Sequence, residues 1–319
     1  MHQYITRRLL LIPAVLLGVS LVIFVLIHML PGDIAMVILT GSGESGVVSQ
    51  ADLDALRHKL GTDQPLIVQY VSWVRGLLTL DLGVSLWSGE PVSQELVGKL
   101  FITLQLVAMA VGISWVIAAP LGVLSALRQD SWIDYTFRVL SIGGLVMPEF
   151  WSGVLIILGL SIWFSWTPPL GYTGLFDDPF KNLTQLIWPA LALGYRLSAL
   201  LSRMIRSSLL EVIREDYVRT AWAKGLRERV VTFRHALKNA LLPVVTISGS
   251  HIGYLLGAAV VMELIFSIPG IGRLLVDSVF HRDFPVVQSI VLLIALVFLV
   301  VNLGVDLLYG WLDPRIRYS

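Results

Sequence analysis

Two opposite charges lie inside long apolar segments of this 319-residue sequence. Glu149 follows Pro148 about midway along one apolar segment, and Arg196 lies about midway along the next. If these segments cross a bilayer, an unpaired charge at that depth costs roughly 2.5–3.5 kcal/mol even on the lenient insertion scale. Each side chain therefore needs a partner, water or a polar pathway. A mutual ion pair, or snorkelling from a shallower depth, is the purely structural alternative.

Residue patterns of enzymatic and metal sites are absent from the sequence. No G-x-x-x-x-G-K-[ST] segment is present to hold nucleotide phosphates, and no H-E-x-x-H pair is present to bind zinc. None of the six histidines pairs at i, i+4 with another, so we expect neither a metal site nor a catalytic residue. The absence of cysteine excludes disulfides and thiolate chemistry.

The most polar long segment, Asp216–Pro243, lies between two apolar segments. From about Ser208 its first part has helical spacing of apolar residues, at Leu210, Ile213, Tyr217 and Ala221. Gly225 follows Lys224, as expected of a glycine that ends a helix. A second amphipathic helix is predicted to follow and to end at Pro243, with its apolar stripe at Val230, Phe233, Leu237 and Leu241. A solvated charged loop is the simpler interpretation.

The order of residues around Gly225 resembles the EAA loop of ABC-importer permeases of the dipeptide, oligopeptide and nickel class. The resemblance rests on Ala-X-Ala-Lys-Gly-Leu at 221–226 and on Arg-His-Ala-Leu-Lys-Asn-Ala-Leu-Leu-Pro at 234–243. It continues in segments along nearly the whole chain: 28–33, 81–85, 206–208, 269–275, 282–288 and 302–317. The general pattern has Glu-Ala-Ala before the glycine, whereas this chain has Arg219, Thr220 and Ala221. A Leu-Pro pair of other importers is replaced by Leu237-Lys238; both departures are usual in the peptide class.

This resemblance implies an all-α polytopic membrane protein with the ABC type-I importer permease fold. Six transmembrane helices are expected, with a small extracytoplasmic insertion after the first. The resemblance also implies that the loop at 207–241 couples the chain to an ATPase. The residues expected at that contact are Asp216, Tyr217, Arg219, Thr220, Ala221, Ala223, Lys224, Gly225, Leu226, Arg234, His235 and Leu237.

The partners implied by the resemblance are a second homologous permease subunit, two ATP-binding subunits and an extracytoplasmic solute-binding protein. No cofactor is expected on this chain, because ATP and Mg would bind the partner ATPase subunits. Di- or oligopeptides are the expected cargo, with nickel, glutathione or another small solute as alternatives. In such a transporter Glu149 and Arg196 are candidates for the translocation pathway, where opposite charges would meet the termini of a zwitterionic peptide.

Composition and hydropathy agree with a polytopic membrane protein: 56% of residues are hydrophobic, 14% are charged, and mean hydropathy is +0.79. Residues 1–31 are expected to form an N-terminal tail and the first span, 32–98 an extracytoplasmic subdomain, 99–308 the core permease domain and 309–319 a C-terminal tail. The predicted spans are Leu9–Met29, Leu100–Leu127, Phe137–Trp166, Gln185–Met204, Leu242–Glu263 and Val286–Leu308. A signal peptide is disfavoured for the first, which is too long and lacks a cleavage site.

The distribution of positive charge predicts the orientation. With a cytoplasmic N-terminus, fifteen of the 23 Lys and Arg residues fall inside, seven outside and Arg196 within a span. This asymmetry favours a multi-pass protein of the cytoplasmic membrane with both termini in the cytoplasm.

Three glycines recur every four residues in the fifth predicted span, at Gly249, Gly253 and Gly257. Glycine permits close backbone approach, so this spacing predicts a helix-packing face whose partner is either in this chain or in a second permease. An ion-coupled secondary transporter is the alternative of a different class, but it would need more intramembrane carboxylates or unwound helices. A membrane enzyme would need a catalytic cluster, and none converges in the sequence.

Overall fold

The computed structural model describes residues 2–29, 33, 35, 36, 39 and 49–312, and over that part of the chain it is almost entirely helical. Most of segment 30–48 and the last seven residues of the predicted C-terminal tail, 313–319, lie outside the described residues. The helices are α1 His2–His28, α2 Gln50–Leu60, α3 Leu66–Leu78, α4 Val92–Leu127, α5 Trp132–Val146, α6 Glu149–Phe164, α7 Pro179–Ile213, α8 Asp216–Ala223, α9 Glu228–Ser250, α10 Ile252–Ile265, α11 Ile271–Phe280 and α12 Phe284–Leu312.

Three helices are long and apolar enough to cross a bilayer: residues 8–28 of α1, the whole of α4 and residues 284–307 of α12. They contain nearly all of the first, second and sixth predicted spans. Two bent pairs bring the number of candidate spans among the described residues to five. The fourth predicted span lies in α7, which is 35 residues long but less apolar. The count of six therefore stays a prediction.

The third predicted span is divided rather than continuous. Helix α5 ends at Val146 and α6 begins at Glu149, with a bend of 107° between them. Pro148 explains the break, because proline disfavours helical backbone in the residue before it. The fifth predicted span also bends, by 47° at His251 between α9 and α10.

The chain forms two compact units, of which the first comprises Met1–Phe101 and Arg273–Leu299. Within it, Ser49 caps α2 by accepting a hydrogen bond from the Ala51 amide. Helices α2 and α3 both lie in the segment expected to form the extracytoplasmic subdomain. The short helix α11 lies between the fifth and the sixth predicted spans.

The second unit comprises Ile102–Gly272 and Val300–Ser319, and α7 is its most buried helix. Its neighbours approach it closely through glycine. A Cβ atom on Gly122 of α4 would lie 2.7 Å from the Cβ of Ile205, and one on Gly144 of α5 would lie 2.9 Å from the Cβ of Ala199. Small residues at such contacts are what helix packing in lipid requires. These close contacts hold α7 in position against α4 and α5, and the polar segment follows the end of α7.

The polar segment differs from its prediction in three respects. A continuous helix from Ser208 is wrong, because α7 ends at Ile213 and α8 begins only at Asp216. Pro243 does not end the second helix, which continues through it to Ser250. The buried face of α9 also differs from the predicted apolar stripe and comprises Val231, Thr232, Ala236, Ala240 and Val244.

Candidate functional site

Gly225 forms the turn between α8 and α9. Its φ of +75° lies in the left-handed region, as its predicted place at the end of a helix requires. The Gly225 amide donates to the Trp222 carbonyl at 2.9 Å, and the Leu226 amide donates to the Ala221 carbonyl at 3.4 Å. No atom lies within 4 Å of a Cβ built at this glycine. The constraint at Gly225 is therefore backbone conformation rather than space.

Helices α8 and α9 form a packed helix–turn–helix. Val218 and Ala221 of α8 are buried, as are Val231 and Ala236 of α9. The Asn239 side-chain amide donates to the Tyr217 hydroxyl at 2.8 Å and joins the two helices. This element is a defined surface rather than a string of solvated charges.

Most of the twelve residues predicted for the coupling contact are on that surface. Ala221 is buried, and His235 and Leu237 are half-buried. The exposed ones are Asp216, Tyr217, Arg219, Thr220, Ala223, Lys224, Gly225, Leu226 and Arg234. Two exposed aromatic side chains, Trp222 and Phe233, lie on the same element but were not among the predicted contact residues. They could have been recognised as contact residues because they are large apolar residues within the most polar segment of the chain.

A buried carboxylate at the start of α5 holds the end of α7. Both guanidinium nitrogens Nε and Nη2 of Arg206 donate to Asp134, each at 2.8 Å, and Arg138 donates to it at 2.8 Å. The Ser125 hydroxyl of α4 also donates to this carboxylate. The hydrogen bonds to Asp134 raise the pKa of Arg206, so the guanidinium stays charged.

This Asp134 cluster was not predicted from the sequence. Asp134 lies in a short polar segment between two apolar ones, and Arg206 is 72 residues away. Because Arg206 is near the end of α7, the cluster fixes the last turns of that helix to α4 and α5. It thus positions the stretch of chain that leads into α8.

The structure brings Glu149 and Arg196 together. Arg196 Nε lies 3.7 Å from Glu149 Oε1, which is too long for a hydrogen bond. The Tyr254 hydroxyl donates to Glu149 Oε2 at 3.3 Å, and the Arg196 guanidinium carbon lies 5.6 Å from the centre of the Tyr254 ring. Glu149 Oε1 is buried and accepts no hydrogen bond from any residue in the described part of the chain. The pair thus has capacity for one further donor.

The three glycines of the fifth predicted span differ in their surroundings. A Cβ atom at Gly249 would lie 2.2 Å from Val305 Cγ2, so this glycine permits close contact with α12. Gly253 is half-buried and lies beyond the bend at His251, and Gly257 is exposed with no atom within 4 Å of a built Cβ. A packing partner for Gly257 therefore stays a prediction.

Residues 118–318 match the family described as binding-protein-dependent transport system inner membrane component, and residues 1–107 match the N-terminal family of the same membrane components. The chain belongs to this family. It is thus the permease component of an ABC transport system, a membrane subunit that depends on a solute-binding protein.

Relatives and a solved structure agree with this assignment. Dipeptide transport system permease proteins DppB from Alkalihalophilus pseudofirmus and Escherichia coli (strain K12) are 39% and 40% identical to this permease, over the whole of each chain. A chain in the crystal structure of an amino acid ABC transporter with histidines has a TM-score of 0.52 and 18% identity. That match covers 70% of the permease and 95% of the solved chain, and it shows the shared fold.

Proposed function

We propose that this permease is the membrane subunit of an ATP-driven importer that carries di- or oligopeptides into the cytoplasm. The observation that carries the proposal is the full-length identity of about 40% to permeases of dipeptide transport. A second homologous permease pairs with this chain, two ATP-binding subunits supply ATP and Mg, and a solute-binding protein delivers the peptide. Hydrolysis takes place on the separate ATPase chains.

The helix–turn–helix around Gly225 is the element that receives force from an ATPase. Its exposed charged residues and the aromatic side chains of Trp222 and Phe233 suit a helix that fits into a groove of a partner. Beside it, a polar groove of about 660 Å³ is lined in part by Arg214, Asp216 and Arg219. Only Arg214 and Glu215 separate α7 from this element, and this short connection gives a route by which ATPase closure moves α7.

Purification of the complex tests this function. Detergent extraction of the native complex is expected to yield stoichiometric ATP-binding chains, a second permease and bound peptide upon mass spectrometry. Another bound solute would change the proposed cargo. Solute uptake by the isolated chain, without any ATP-binding subunit, would contradict the proposal and favour a secondary transporter.

The permease is proposed to have both termini in the cytoplasm and residues 32–98 outside. The distribution of Lys and Arg supports this orientation. Because the chain has no cysteine, single cysteines at Ser88 and Ser207 can be labelled with an impermeant thiol reagent in intact cells. We expect labelling at Ser88 only, and the reverse pattern would invert the topology.

Glu149 and Arg196 are proposed to lie on the translocation pathway. The two side chains form an ion pair at 3.7 Å, yet the buried Glu149 Oε1 accepts no hydrogen bond from the residues that the structure describes. An entering peptide ammonium would supply the missing donor, and the partly exposed guanidinium would meet a peptide carboxylate. The hypothesis requires a carboxylate at position 149 and a guanidinium at position 196, because each would meet the oppositely charged terminus of the peptide.

A charge swap distinguishes a pathway role from a structural pair. Glu149→Ala and Arg196→Ala are each expected to lower transport at least about tenfold, the equivalent of roughly 1.4 kcal/mol in the barrier. The double variant Glu149→Arg, Arg196→Glu is expected to stay impaired, since the charges no longer match the peptide termini. Uptake is measured at matched membrane levels, with Arg203→Ala as the control for loss of an exposed α7 cation. Restored transport in the swap would identify a structural pair.

A further inference from the structure

Helix α3 covers the last two turns of α1. The Tyr70 hydroxyl and the Ser20 hydroxyl are 2.8 Å apart, and the Phe24 ring lies 5.2 Å from the Tyr70 ring and 6.1 Å from that of Trp73. At the end of α1, His28 Nε2 lies 3.2 Å from Gln69 Oε1. The face of α1 beneath these contacts is buried, since Ser20 and Phe24 are nearly inaccessible.

These contacts reach deep into a membrane-spanning helix. The apolar span of α1 runs from Arg8 to His28, and Ser20 is eight residues before its end. At a rise of 1.5 Å per residue, Ser20 lies about 12 Å from the His28 end. Half of a bilayer's hydrocarbon core is about 15 Å thick. The Tyr70 hydroxyl therefore reaches about 12 Å below the His28 end, and the contacts of Tyr70 and Trp73 with Phe24, four residues before that end, lie about 6 Å below it. Both depths are within the thickness of one leaflet.

The face of α3 directed away from α1 is aliphatic. Ile67, Val71 and Leu78 fall on one stripe of the helix and have exposed fractions of 77%, 58% and 82%. Helix α3 has no acidic residue, and its one cation is Arg75 near its end. A water-exposed helix with such a stripe would present an unusually large apolar surface.

We propose that α3 is embedded in the outer leaflet and that its stripe of Ile67, Val71 and Leu78 contacts lipid acyl chains. The exposed face of α1 is aliphatic as well and includes Leu21 and Val25. Helix α3 is thus a membrane element, although it lies within the segment assigned to the extracytoplasmic side. The inference concerns depth in the bilayer and goes beyond the proposed transport function.

Depth and composition favour lipid over protein at this surface. A soluble solute-binding protein does not enter the hydrocarbon core, the depth at which Tyr70 and Trp73 contact α1. A second permease would be expected to meet small residues that allow close backbone approach. The stripe instead carries only large aliphatic side chains, which acyl chains solvate without specific contacts.

Spin labels test the depth of the stripe. Single cysteines replace Ile67, Val71 or Leu78 in the cysteine-free chain, and the assembled complex is reconstituted into phosphatidylcholine–phosphatidylglycerol vesicles. Power saturation then compares collisions with oxygen, which concentrates in lipid, and with a water-soluble nickel chelate. The oxygen-to-nickel ratio is expected to match that of labels at Leu21 and Val25.

A label at the exposed Gln64 supplies the aqueous reference. A ratio at the three stripe positions equal to that at Gln64 would place α3 in water and overturn the proposal. Low collision rates with both reagents, together with an immobilised spectrum, would indicate a protein partner and would also overturn it. Because the measurement needs no uptake, its result is independent of the test of peptide transport.

Discussion

Gly225→Val is expected to leave the permease assembled in the membrane and to separate ATP hydrolysis from transport. Gly225 has a φ of +75°, and an L-residue in the left-handed region costs roughly 1–2 kcal/mol. That cost lowers the population of the native turn by a factor of about 5–30. Uptake per ATP hydrolysed, measured in vesicles that contain the whole complex, should fall by the same order.

Two variants separate this effect from general destabilisation. Gly61 has a φ of +69° and equally open space around a built Cβ, so Gly61→Val imposes the same backbone cost outside the coupling element. The Gly61→Val variant should keep the normal amount of uptake per ATP hydrolysed. Gly225→Asn should keep most coupling, because asparagine tolerates the left-handed region. Normal uptake per ATP in Gly225→Val would show that the turn has no role in coupling.

The turn was predictable because its cause is local. A cation followed by glycine at the end of an apolar period indicates a helix end wherever the helix packs. The start of α2 also has a local cause, because the Ser49 side chain accepts a hydrogen bond from the Ala51 amide. The family motifs extend this success over nearly the whole chain, which is why the fold class could be derived without coordinates.

Features that depend on distant packing were not predictable. Pro243 is a local sign of a helix end, yet α9 continues through it into the next span. Phe233 fits a regular helical stripe, but residues 231–236 form a π-helical turn that changes which side chains face inward. Phe233 is consequently exposed while Val231, Thr232 and Ala236 are buried. The helical period of the sequence alone cannot predict this change in which side chains are buried.

Contacts between polar residues that are far apart in the sequence were also not predictable. Glu149 and Arg196 could be expected at similar depth, because adjacent spans run antiparallel. Their third partner, Tyr254, lies 105 residues beyond Glu149 and had no sequence indication. Asp134 was still harder to recognise, since a charged residue between two spans is usually solvated. Its burial depends on Arg206 and Ser125.

Asp134→Asn is expected to be the most destabilising single change among the polar residues discussed for this permease. Asp134 is completely buried and accepts hydrogen bonds from two guanidinium groups, a serine hydroxyl and the Asp130 amide. Asparagine has a similar shape but places an N–H₂ group and no negative charge between Arg138 and Arg206. Loss of one partner from a buried ion pair costs about 3–5 kcal/mol. Because both arginines are partly exposed, the loss in free energy of unfolding for Asp134→Asn is expected near the lower of these values.

Asp130→Asn is the matched control for this change. Asp130 lies 3.4 Å from the same Arg138, but 65% of its side chain is exposed, so its replacement should alter the free energy of unfolding by at most about 0.5–1 kcal/mol. Thermal unfolding of the detergent-solubilised complex compares the two variants. Asp134→Asn should also lower uptake per ATP, because Arg206 would no longer fix the end of α7 beside the coupling element. Equal unfolding temperatures for the two variants would mean that the Asp134 cluster does not stabilise this end of the permease.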